Sequence, residues 1–184
     1  MTLFIRGHKA LTVAVVAIAC AAPWAASAED RDGKPRFVPF AAGAQIVEWL
    51  VPGSASGCEP TPESPNTGIG IVQGSGLATS IGTFTVSSTD CVRSANPIGF
   101  YPPFNFSSSV LTLTAANGDQ IVATYAGTAD LQPSGLIRLS GSYTFTRGTG
   151  QFMGVKGSGT LLGVEDISVF PAKGYMTFAG SISR

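Results

Sequence analysis

The chain has 184 residues, with basic and acidic side chains equal in number and only 12% of residues charged. Such a sequence offers no clustered positive surface for a phosphate backbone, so nucleic acid is not an expected partner. Glycine is abundant, at 23 residues, and histidine occurs once, as His8.

The first segment reads as an export leader. Arg6 and Lys9 form a positive start, Leu11 to Ala22 is apolar, and Ala26-Ser27-Ala28 supplies the small residues that a signal peptidase recognises. The apolar run is short for a bilayer core, which takes about 20 such residues, and Pro23 interrupts any helical continuation. Cleavage after Ala28 predicts a periplasmic or secreted bacterial protein with no transmembrane anchor after processing. The alternatives are an uncleaved anchor, or lipidation at Cys20 in the loose lipobox Ala17-Ile18-Ala19-Cys20. Cleavage also removes His8. The two cysteines that remain, Cys58 and Cys91, predict a disulfide in an oxidising compartment.

Residues 29–39 are charged and contain proline, which predicts a flexible lead-in to one domain over 40–184. Gln45 to Val51 reads as the first strand. Its two faces compete: Ile46, Glu48 and Leu50 on one, Val47, Trp49 and Val51 on the other. The second set is larger and more apolar, so the expectation is that it faces inward and Glu48 is solvated. An inward Glu48 would instead be a buried carboxyl with a raised pKa and a functional candidate.

Pro52 to Thr67 reads as loop. From Gly68 the pattern has a period of two: Ile69, Ile71, Gln73 and Ser75 against Gly70, Val72, Gly74 and Gly76. Gly82 to Val92 reads as a strand, and Arg93 to Ser107 as a Pro-stiffened loop carrying Phe100, Tyr101, Phe104 and Phe106. That aromatic loop reads as a lid, a partner-binding edge or a plug. Val110 to Ala115 alternates, Asn117-Gly118 suggests a two-residue type I′ turn, and Gln120 to Ala129 returns. Leu136 to Thr146 alternates again. Ile137, Leu139, Gly141, Tyr143 and Phe145 form the face expected to be buried, and Arg138 lies on the polar one. Lys156 to Glu165 and Gly174 to Ser183 complete about eight strands. Repeated glycines within strands favour a closed antiparallel barrel, with a β-sandwich as the alternative.

The segment Gly148-Thr149-Gly150-Gln151-Phe152-Met153-Gly154-Val155-Lys156-Gly157 resembles one in dirigent proteins and allene oxide cyclases, where G-T-G-x-F-x-x-A-x-G leads into a late strand. Val155 replaces the small residue. Gly74 to Gly82 and Ala116-Asn117-Gly118-Asp119 are similar to bacterial exported proteins of that barrel superfamily. The resemblance implies an eight-stranded barrel with an apolar interior, and homo-oligomers are common among such proteins. It carries over no catalytic residue. Phe152 reads as a plug at one end of the core.

Without a histidine after processing, Ser–His–Asp, Cys–His and histidine-based metal chemistry are excluded. No pattern calls for a cofactor. Glu165 and Asp166 are adjacent in a strand and point to opposite faces, so they cannot pair. Asp119 reads as a turn residue. Candidate pocket or lid residues are Tyr125, Tyr143, Glu48, Arg138, Phe100, Tyr101 and Phe104. The leading expectation is an exported, non-catalytic barrel that binds a small apolar ligand or a protein partner. The rivals are a dirigent- or cyclase-like protein orienting a reactive apolar intermediate, and a structural envelope protein. An interior filled by Phe84, Leu113, Tyr143 and Phe145 would leave no site, whereas an inward Glu48 or Arg138 would support the cyclase-like reading.

Overall fold

The structure is a computed structural model that describes residues 35–183. The leader, with Cys20 and the cleavage site, lies outside the described residues. Eight strands follow in chain order: β1 Phe37–Pro52, β2 Asn66–Ala78, β3 Gly82–Ser94, β4 Phe104–Ala115, β5 Gln120–Leu131, β6 Ile137–Gly148, β7 Lys156–Asp166 and β8 Ala172–Ser183. Each pairs antiparallel with the next, and β8 returns to pair with β1, closing a barrel. Closure removes the exposed edges that a sandwich of the same strands would keep. No described helix is long and apolar enough to cross a membrane.

Alternation along each strand separates a lined interior from a wetted wall. In β6, Ile137, Leu139, Tyr143 and Phe145 are buried while Arg138 and Ser142 are exposed. In β2 the glycine-rich face turns inward and Ile71 outward. An eight-stranded barrel leaves just enough space for side chains to fill it, and glycines on the inner face make room for the large rings of other strands. At one end those rings pack tightly. Phe40 meets Phe145 edge-on at 5.2 Å, and Tyr143 meets Phe178 at 5.6 Å. Phe152, completely buried, plugs the same core from a short 3-10 turn over Gly150–Phe152.

Three local expectations change. The first strand begins at Phe37, within the segment read as lead-in, so Phe40, Ala42 and Ala44 already line the interior. Phe37, Val38 and Pro39 are themselves exposed and join the sheet by pairing with Ser183, Ile182 and Ser181 of β8, ahead of the buried alternation that starts at Phe40. The second change is the length of the β3–β4 loop, because both strands extend into it. Phe104 and Phe106 are buried strand residues rather than loop aromatics.

The third change is the Asn117-Gly118 turn, which is not type I′. A type I′ turn needs positive φ at both central residues, and among the described residues only glycines have it. Gly118 has φ 89°, its N–H donates to Ala115 O at 2.9 Å, and Ala115 N–H donates to Asp119 O at 2.8 Å. This is the three-residue loop that ends on a left-handed glycine. Asp119 is then free to accept from Gln151 N–H at 3.1 Å, tying the hairpin to the 3-10 turn.

Tyr143 tests the packed half. Its ring is buried, its hydroxyl has no hydrogen-bond partner, and desolvation raises its pKa to about 12. A buried, unpaired hydroxyl opposes folding. Tyr143→Phe is therefore expected to leave stability unchanged or raise it by about 1 kcal/mol in urea denaturation. A loss of that size would show that the hydroxyl is satisfied.

Candidate functional site

The half of the barrel away from Phe152 carries polar groups. Four strands each supply one: Glu48 from β1, Asp90 from β3, Tyr125 from β5 and Glu165 from β7, all buried. They line an internal cavity of about 30 Å³, with Val72, Val92, Phe104, Phe106, Leu139 and Met176 among its apolar walls. That volume admits a water molecule or one small functional group. No described Lys or Arg lines it.

Glu48 faces inward, contrary to the expectation from Gln45–Val51. Val51 is exposed and Trp49 only half-buried. Phe40, Ala42, Ala44 and Ile46 set the phase of β1, and Glu48 continues their face. The neighbouring strand accommodates the carboxyl: a methyl group at Gly70 would overlap Glu48 Oε1. Gly174, the β8 partner of Glu165, does the same for that side chain, since a methyl there would lie 2.5 Å from Glu165 Cγ. A glycine on the adjacent strand, diagonal to Glu48 and directly opposite Glu165, is thus the local device that lets acidic groups occupy a narrow interior.

The groups fall into two hydrogen-bonded units. Glu48 and Glu165 share a side-chain hydrogen bond, which requires a proton on one of them. Burial, followed by repulsion from Glu165, pushes Glu48 up to about 9, and burial raises Glu165 as well. In the second unit, Asp90 accepts from Ser88 Oγ at 2.6 Å and from the Tyr125 hydroxyl. Burial raises Asp90 to about 6, against the lowering effect of those two donors. Burial and the neighbouring Asp90 raise Tyr125 well above its ordinary value.

A bulge braces this second unit. The β3–β4 register slips between Ser88 and Cys91 and the β4–β5 register between Ser108 and Leu111, and Ser108 Oγ donates across this bulge to Thr89 O at 2.8 Å. Ser108 pairs with Tyr125, and Thr89 precedes Asp90. Bulges redirect side chains near sites, and this one lies beside the Asp90–Tyr125 contact.

Of the sequence candidates, Glu48, Tyr125 and Phe104 meet at the cavity. Phe100 stacks on Phe104 at the rim, with ring centroids 4.9 Å apart. Tyr143 belongs to the packed half, Tyr101 is exposed, and Arg138 points away from the interior. Cys58 and Cys91 are bonded, joining the β1–β2 loop to the residue after Asp90. In the chain-entropy model such a crosslink contributes about 2–4 kcal/mol.

Asp90 and Glu165 were missed from sequence, although a signal existed. Asp90 has the parity of Phe84 and Val86, and Glu165 that of Leu161. Adjacent Glu165 and Asp166 do point oppositely, but Glu165 finds its partner on another strand. Comparisons with family models, with curated proteins and with solved structures find no match to this chain.

Proposed function

We propose that this is an exported barrel that takes the polar head of a small, uncharged, apolar molecule into its carboxyl-lined end and transfers protons to and from it. This is the cyclase- or isomerase-like reading. The observation that carries it is the inward Glu48, hydrogen-bonded to Glu165 in a cavity that also holds Asp90 and Tyr125. Environments that push neighbouring acids to different pKa values assign their roles. At neutral pH Glu48 holds its proton and is the donor, while Asp90 is mainly ionised and is the acceptor. One proton given and one taken leaves the composition of the bound molecule unchanged, as an isomerisation or cyclisation requires. Among the described residues no Lys or Arg lines the cavity, which disfavours an anionic head. Both the barrel and the Gly148–Lys156 segment are in keeping with the allene oxide cyclase and dirigent superfamily.

A second reading, binding without reaction, is favoured by the cavity volume of about 30 Å³, which encloses a head group and no more. The two are separated on protein purified from its host. Native mass spectrometry is expected to find a small neutral molecule retained by the wild type. Glu48→Gln preserves shape and removes the acid. It is expected to retain the same molecule and to slow its conversion by about 100-fold or more. A clean apo mass would overturn both readings and leave a structural role. Retention without conversion would leave binding alone.

A further inference from the structure

We infer that Phe100 is the gate of the carboxyl cavity, and that its ring must leave the inner face of Gly68 before a molecule can enter. This rests on the proposed function for its purpose, but on geometry for its existence. Gly68 and Gly70 are successive inward positions of β2. Two residues of strand span about 7 Å, so the Gly68 position lies one layer beyond the Glu48 carboxyl that Gly70 accommodates, toward the end of the barrel away from Phe152. The Phe100 ring occupies the space a side chain at Gly68 would take. A methyl group there would overlap the far edge of the ring. The same ring stacks on Phe104, a wall of the cavity.

The loop that carries Phe100 is tethered to the barrel at its ends, and in its middle it bonds only to itself, Ile98 N–H donating to Asn96 Oδ1 at 2.9 Å and Tyr101 N–H to Gly99 O at 3.0 Å. Asn66 Nδ2 donates to Asn96 O at 2.6 Å, and Ser94 Oγ donates to Tyr101 O. Between these ties Ile98 is 88% exposed and Tyr101 59% exposed, leaving Phe100 as the apolar residue that reaches the core. Such a strap can release one ring without unpairing a strand. The aromatic loop thus divides its roles: Phe104 is wall, Phe100 is door, and Tyr101 stays outside.

The test needs no knowledge of the ligand. Leu139 lines the cavity, and Leu113 lies in the packed core outside it. Leu139→Cys is treated with the neutral reagent N-ethylmaleimide, and modification at residue 139 is followed by peptide mass. Phe100→Ala and Gly68→Ala, added separately, are each expected to speed labelling about tenfold or more, because closed-state protection is lost. Gly68→Ala is the stringent case, since it removes no apolar group and acts only by displacing the ring. Unchanged rates at residue 139 overturn the gate. Equal acceleration at a Leu113→Cys probe also overturns it, by showing that the whole barrel has loosened. Binding of N-phenyl-1-naphthylamine to the same variants is read separately. Accelerated labelling without dye binding keeps the gate and counts against the ligand-binding reading.

Discussion

Stability in urea is expected to fall steadily as pH rises from about 4 to 9, opposite to the trend of a domain held by carboxylate ion pairs. The cause is the buried acid cluster. Glu48 ionises near 4.5 when unfolded and near 9 in the barrel. Between those values the native state holds a proton that the unfolded chain has released, so each unit of pH favours unfolding. The stability is fully present below the unfolded value and is lost as pH climbs through the folded one. For Glu48 alone the linkage relation puts the loss on the order of 5 kcal/mol. Asp90 adds a smaller fall between about 4 and 6, and Glu165 acts in the same direction. Glu48→Gln cannot ionise, so it is expected to raise stability at pH 8 and to flatten the curve above pH 6. A wild-type midpoint that is constant or rising from pH 5 to 9 would show that the cluster is hydrated or paired with a cation.

At the other end of the barrel, Phe152→Ala is expected to cost about 3–5 kcal/mol, the range for emptying a fully buried aromatic site. Phe152 has no exposed surface, and its backbone closes the turn at both sides. Its N–H donates to Thr149 O, and its carbonyl accepts from Val155 N–H. A pinned backbone cannot move inward to fill the void, which places the cost at the upper part of the range. Met153, its neighbour, is 75% exposed, and Met153→Ala is expected to change stability by less than about 0.5 kcal/mol. Chemical denaturation of the two variants side by side checks both figures. Similar losses would mean that the turn, and not the plug, matters.

These two ends explain how one barrel can enclose a cluster of acids. Rings from Phe40, Tyr143, Phe145 and Phe178 fill one half and supply the stability. The other half can then hold acidic groups whose burial opposes folding at neutral pH. Sites are commonly built where local stability is given up.

The local pattern of the chain settled a good deal without any tertiary information. Alternation in Leu136 to Thr146 separates the buried Leu139 and Tyr143 from the exposed Arg138, and that division needs only the two-residue period of a strand. The same period carries enough to turn Asp90 and Glu165 inward. Tertiary structure decided what alternation cannot. In Gln45 to Val51 both faces are apolar enough to be buried, so the period shows two sides without saying which is inside. The phase came from Phe40 to Ile46 and from the space that Gly70 leaves on the adjacent strand. Closure through the β1–β8 pairing then set β1 two strands from β7, so that Glu48 and Glu165 share one proton although 117 positions separate them in the chain (165 − 48). A contact of that kind depends on which strands pair and in what register, and those choices are made by the whole sheet at once.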